Sequence, residues 1–217
     1  MRTIMAMVFA MILVGWGSGV RADVDLGISV DDGGIREFHM AVGDFYGYPE
    51  REVVVVRQRN IPDDELPVVF FLSSRARVAP DIIISLRLGG KSWLDITHQY
   101  NMGAEIFYVP APVVSGPPYG RALGYYKNQP REKWKSIKLN DADVVNLVNL
   151  QFVSKHYGCS YDDIIKVRSE GKGFVAINHD AKSGKIKKND RSEKSDKQKS
   201  NGKNDKTVKT KQKSKKK

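Results

Sequence analysis

The chain has 217 residues, 36 Lys+Arg against 25 Asp+Glu, and a formal charge of +11. That charge is uneven: residues 182–217 hold 16 basic and 4 acidic residues, leaving 20 and 21 in residues 1–181. The distribution excludes a folded domain with positive charge spread over its surface, and it assigns the attraction for anions to a tail.

At the N-terminus, Arg2 precedes an uninterrupted apolar run from Ile4 to Val14, then a small-residue stretch, then Val20-Arg21-Ala22. Small or β-branched residues at the −3 and −1 positions predict a secretory signal over residues 1–22, cut after Ala22. The run is about half the ~20 residues needed to cross a bilayer. The expected mature protein is therefore secreted or periplasmic, with no transmembrane helix. Its body, residues 23–181, carries 18 basic and 21 acidic residues. Cys159 is the only cysteine. No intramolecular disulfide is possible, and a buried hydrophobe is the expected role.

Self-comparison organises the body. Asp81, Ile83, Ile84, Arg87, Gly90, Lys91, Ile96 and His98 recur 81 residues later as Asp162, Ile164, Ile165, Arg168, Gly171, Lys172, Ile177 and His179. Leu66, Phe71 and Ser73 extend the match to Leu147, Phe152 and Ser154. A weaker copy comes earlier, with Tyr46-Gly47, Val53, Val54, Val56 and Arg57 in the places of Tyr157-Gly158, Ile164, Ile165, Val167 and Arg168. Each unit reads as a helix–turn–helix. An apolar helix ends at Tyr157-Gly158, and Ser160 with Asp162 and Asp163 starts the next. Arg168 lies near its end, Gly171 stops it, and Phe174 and Ile177 begin another apolar stripe. The β-branched runs Val53–Val56 and Ile82–Ile84 suit strands by propensity, but their registration with the third copy predicts helix.

The expected fold is thus mainly α, with three related helix–turn–helix units at about 35–66, 63–100 and 141–181. A proline-, glycine- and tyrosine-rich excursion over 104–140 separates the second from the third. Within it, Ile106-Phe107-Tyr108-Val109 reads as a strand that pairs with Val24–Val30 in a small β-sheet. Pro110, Pro112 and Gly116-Pro117-Pro118-Tyr119-Gly120 forbid a continuous helix. Asn140-Asp141 can cap the helix that follows. The combination of repeat units, the Phe-Tyr-Val-Pro strand and Gly-Pro-Pro-Tyr-Gly resembles a group of uncharacterised secreted bacterial envelope proteins, over residues 24–180. The resemblance implies an envelope address and no activity.

No phosphate loop, nucleophile elbow, His-Glu-x-x-His helix or Cys-x-x-Cys pair occurs, so no catalytic residue and no cofactor is assigned. His98 and His179 share a repeat position and are weak metal candidates, as zinc needs three or four ligands. Arg57, Arg87 and Arg168 also share a position and are expected to pair with neighbouring acids or helix-end carbonyls. The strongest binding candidates are Tyr108, Tyr119, Arg121, Tyr125, Tyr126, Lys127 and Trp134. Aromatics interleaved with cations on a Pro/Gly-rich loop can hold a protein or glycan partner by stacking and cation–π contact.

The lysine-rich tail, 182–217, has only Ile186 and Val208 as aliphatic residues and is expected to be disordered. Its expected partners are anionic lipid, glycan or nucleic acid, bound with strong salt dependence. The sequence thus favours a non-enzymatic envelope binding or scaffold protein. The alternative is an envelope enzyme that joins His98 or His179 to Tyr119 or Tyr126 between the excursion and the helical units.

Overall fold

A computed structural model describes residues 32–112 and 114–188. The expected signal, the Val24–Val30 strand and residues 189–217 of the tail lie outside the described residues. Within them the fold is mainly helical, with no strand.

The first helix, α1 (Asp32–Tyr46), buries Phe38, His39, Val42 and Gly43, at helical spacing along one face. Gly43 lets the chain come close: a Cβ there would collide with Val53 of α2 (Glu50–Arg57). α2 buries Val53 and Val56 and leaves Val54 and Val55 exposed, so the valine run is helical as registration required. Pro67 sits in the first turn of α3 (Leu66–Ala76), where its missing N–H costs nothing. Residues Leu66–Ser73 are all buried. α3 is the inner helix of the body, packed against α1, α4 and α7.

α4 (Pro80–Leu88) and α5 (Trp93–Gln99) form a tight pair, with the Ser92 hydroxyl accepting the Asp95 N–H at 3.1 Å. α7 (Asp141–Tyr157) is entered through a reciprocal cap. Asn140 Oδ1 accepts the Asp143 N–H at 2.8 Å, and Asp143 Oδ2 accepts the Asn140 N–H at 2.9 Å. α7 is buried almost all round, its polar Asn146, Asn149 and Ser154 bonding to backbone carbonyls, and it touches α3, α5, α8 and α9. α8 (Tyr161–Ser169) starts at Ser160, whose hydroxyl accepts the Asp163 N–H at 3.1 Å, and α9 (Phe174–Lys182) returns against α1 and α7.

The geometry recurs along the chain. α3 and α7 both end in a left-handed residue, Arg77 (φ 57°) and Gly158 (φ 72°). Ser73 Oγ donates to the Val78 carbonyl, and Ser154 Oγ donates to the Cys159 carbonyl at 2.8 Å. Gly90 (φ 88°) and Gly171 (φ 96°) close α4 and α8. Earlier, Gly47 (φ 75°) follows α1 and Asn60 (φ 55°) follows α2.

Two expectations need correction. Ile106 and Phe107 do not form a strand but end a 3-10 turn, Ala104–Phe107. Phe107 and Val109 are buried while Ile106 and Tyr108 are half-buried, so the alternation is real but helices receive it. The tail boundary also moves. Residues 182–188 pack onto the body: Ile186 is buried, the Lys187 carbonyl accepts the Ser160 N–H at 3.3 Å, and Lys188 bridges to Cys159. Ile186 supplies the apolar contact of this short return, and the Lys185–Asp180 ion pair at 3.4 Å with the Lys185 N–H to Asp180 carbonyl bond at 2.9 Å fixes it to the end of α9.

Candidate functional site: an aromatic groove in a basic strip

The excursion folds into the Ala104–Phe107 turn, α6 (Gly120–Asn128) and a second 3-10 turn, Arg131–Ser136. Gly103 makes the two turns touch, since a Cβ there would strike the Lys135 carbonyl. Tyr126, on the buried face of α6, donates its hydroxyl to the Ala104 carbonyl at 2.5 Å. Trp134 Nε1 donates to the carbonyls of Gln129 and Tyr126, at 2.9 and 3.1 Å. The polar handle of each ring is thereby satisfied, and the rings are locked in place.

Tyr108, Tyr126 and Trp134 then form a three-ring cluster. Tyr108 and Trp134 lie 4.4 Å apart between centroids, and Tyr126 meets both edge-on at 5.5 and 5.3 Å. Together with Val109, Ala111, Leu123 and Lys127 they line a groove of about 400 Å³. The Arg131 guanidinium lies 5.3 Å from the Trp134 ring centre. Lys127, Arg131, Lys133, Lys135 and Lys138 are all exposed around this segment, and none makes an ion pair among the described residues. Glu132 is the one acid among them.

Of the seven expected binding residues, Tyr108, Tyr126, Lys127 and Trp134 meet at the groove. Tyr125 lies on the open side of α6, 37% exposed. Tyr119 is fully buried, and burial pushes its hydroxyl well above the usual tyrosine range. Arg121 is committed to Asp143, at 2.6 Å. Val109, Ala111 and Leu123 were missed. Their only sequence signal is an apolar side chain beside aromatics, which equally describes core.

The two repeat-position histidines do not reach this groove. His98 is exposed near the end of α5. His179, on α9, lies 3.9 Å from Glu37, which also takes Lys182 at 3.1 Å. Neither histidine is hydrogen-bonded to Tyr119 or Tyr126, and among the described residues no three His, Cys, Asp or Glu side chains gather as a metal-ligand set. A second cleft, about 570 Å³, runs along α1 past Arg36, Glu37, Asp44, His156 and Lys182. Its charges largely answer one another, Arg36 with Glu50 and Lys182 with Glu37. No helix among the described residues is long and apolar enough to cross a membrane. No family model, curated protein or solved structure matches the chain.

Proposed function

We propose that the chain is a non-enzymatic binding or scaffold protein of the bacterial envelope, secreted or periplasmic after removal of residues 1–22. It holds an anionic glycan or peptide in the Tyr108/Tyr126/Trp134 groove. The observation that carries this reading is the coincidence of a pre-formed aromatic groove with exposed cations that make no ion pair among the described residues. Apolar ring surface supplies contact area, while Lys127 and Arg131 select for negative charge. The residues beyond Lys188 carry a further 12 basic and 4 acidic residues and act as a second, less specific anionic contact.

The scaffold beneath is three copies of one helix–turn–helix unit. Support for this comes from paired helix ends, left-handed residues and serine–carbonyl bonds placed 81 residues apart, and from the glycine and asparagine turns that close α1 and α2. The excursion is then an insertion between units, the usual place for a contact surface on a repeat body.

The test measures retention of four forms of the mature chain on an acidic glycan and on a poly-glutamate peptide, across a salt series. The forms are wild type, Trp134→Ala, Lys127→Glu/Arg131→Glu, and a chain ended at Lys188. The charge-reversed form should lose at least tenfold in affinity, and the shortened form should keep groove binding with a shallower salt slope. Unchanged retention of the charge-reversed form on both probes would sink the groove reading.

A further inference from the structure

The rings of the groove have their polar atoms turned inward. Trp134 Nε1 donates to the Gln129 and Tyr126 carbonyls, and the Tyr126 hydroxyl to that of Ala104. Trp134 is also covered by Tyr108, 4.4 Å away between centroids, and by the Arg131 guanidinium at 5.3 Å. Among the lining side chains, only Tyr108 and Lys127 carry a polar atom that makes no hydrogen bond to a described residue. A sugar carries a hydroxyl on most of its carbons, and each one taken from water needs a hydrogen bond in return. Two polar side chains beside rings already covered suit a sugar poorly. An apolar side chain needs neither partner nor open ring face.

One side of the groove is a stretch of extended backbone. Tyr108 has φ −58° and ψ 131°, and Val109 and Ala111 each precede a proline, which holds them in the extended region. Pro110 and Pro112 have no N–H to give. Ala111 has both an N–H and a carbonyl, and neither is hydrogen-bonded among the described residues. Val109 is buried, whereas Ala111 is half-buried and lines the groove. Ala111 thus stands beside the groove as a residue of an edge strand does, with one donor and one acceptor unused.

We propose that the groove binds an extended acidic peptide, which pairs antiparallel with Ala111, sets one apolar side chain in the groove and carries acids on either side of it. This rests on the groove reading above and narrows its ligand to a peptide. Opposed residues of a hydrogen-bonded antiparallel pair exchange both N–H···O bonds and point their side chains to the same face. The peptide residue opposite Ala111 therefore sends its side chain into the groove, against Val109, Leu123 and Tyr126. Lys127 and Arg131, which make no ion pair among the described residues, receive the flanking acids. Main-chain bonds supply affinity, while the apolar seat and the cations select the sequence.

Calorimetric titration of the mature chain reads this with three probes of equal charge. They are a capped peptide with leucine between two runs of four glutamates, the same peptide with serine for leucine, and an octagalacturonate. Equal charge makes the basic tail contribute alike to all three. The leucine peptide should bind at least tenfold more tightly than the other two, the scale of burying one leucine. Methylation of the leucine nitrogen removes its bond to the Ala111 carbonyl and should weaken binding several-fold. Methylation of the next nitrogen, which faces away from Ala111, should not. Lys127→Glu/Arg131→Glu should weaken the leucine peptide at least tenfold. If charge reversal weakens the probes but serine peptide or uronate binds as tightly as leucine peptide, or leucine N-methylation costs nothing, the peptide inference fails and the groove reading stands. If charge reversal weakens no probe, the groove reading fails and this inference with it.

Discussion

Arg87 and Glu65 meet through two parallel N–H···O bonds with both side chains mostly out of water, at 19% and 16% exposure. The hydrogen bonds to Glu65 raise the Arg87 pKa further, so the guanidinium stays charged throughout. The same side chain covers Trp93 and reaches Asp141, which also accepts the Trp93 N–H at 2.8 Å. Arg87 therefore ties α4, α5, α7 and the 63–65 turn together. Replacement by Ala leaves two half-buried carboxylates without their guanidinium and should cost about 3 kcal/mol, the low end of the range for a fully buried pair. Replacement by Lys keeps the charge but loses the fork and the ring contact, and should cost about 1–2 kcal/mol. Urea denaturation measures both; an Ala variant within about 1 kcal/mol of wild type contradicts the assignment.

The approach of α1 to α2 rests on Gly43. A methyl group there would overlap Val53 Cγ2, and the Tyr48 carbonyl lies 3.3 Å from the same point. Helix propensity alone favours Ala over Gly by about 1 kcal/mol. Overpacking is expected to win, so Gly43→Ala should be destabilising by about 1–3 kcal/mol. Adding Val53→Ala should recover part of that loss, a coupling visible in a double-mutant cycle. Purely additive effects would show that the two residues are not in contact.

Much of this helical frame was legible because chain turns leave chemical marks. Ser160, Gly158 and Gly171 mark a cap, a left-handed stop and another stop, and their registration with α4 made helices of runs that propensity would have made strands. The excursion was legible only in composition. The alternation at Ile106–Val109 reports which side chains are buried, not what buries them, and the Arg131–Ser136 turn, α7 and Phe71 of α3 took the place of a partner strand. Tyr119 and Tyr126 are two tyrosines in one aromatic-rich segment and both are buried, yet only Tyr126 also edges the groove. Tyr119 stands just before α6 and Tyr126 on its buried face, a placement that no local pattern in a segment broken by Pro and Gly reveals. The bond from Arg168 to Asn146 was likewise hidden, since an Asn in place of a Glu reads as an ordinary mismatch until the partner arginine is seen.

Cys159 is 1% exposed, and burial pushes its thiol up, away from the reactive thiolate. It packs where the chain beyond α9 returns, with its sulfur 3.9 Å from the Ile186 carbonyl. The native thiol should resist an aromatic disulfide reagent and react at the rate of an exposed thiol in denaturant. Ile186→Ala should open this corner and speed native modification at least tenfold, with the rest of the fold intact by circular dichroism. Rapid labelling of the native wild type would mean that the 182–188 return does not cover α8.

His39 sets the response to acid. Its ring is 5% exposed in α1, with Nε2 at 2.6 Å from Asp63 Oδ1 and Nδ1 buried without a partner. Burial lowers its pKa, the Asp63 carboxylate opposes that shift, and Arg57 adds to it. A second histidine, His156, is lowered by burial where it stacks on Phe152. For such groups the unfolded chain takes up its proton first. Stability is therefore full above the ordinary histidine pKa of about 6.5 and falls as pH drops below it, until the folded form also protonates. One histidine contributes a slope of at most about 1.4 kcal/mol per pH unit. Denaturation midpoints between pH 7.5 and 5 should fall in that window, and His39→Gln, which keeps a donor for Asp63, should flatten the fall. A midpoint that rises on acidification, or a slope untouched by His39→Gln, would place the sensitive group elsewhere.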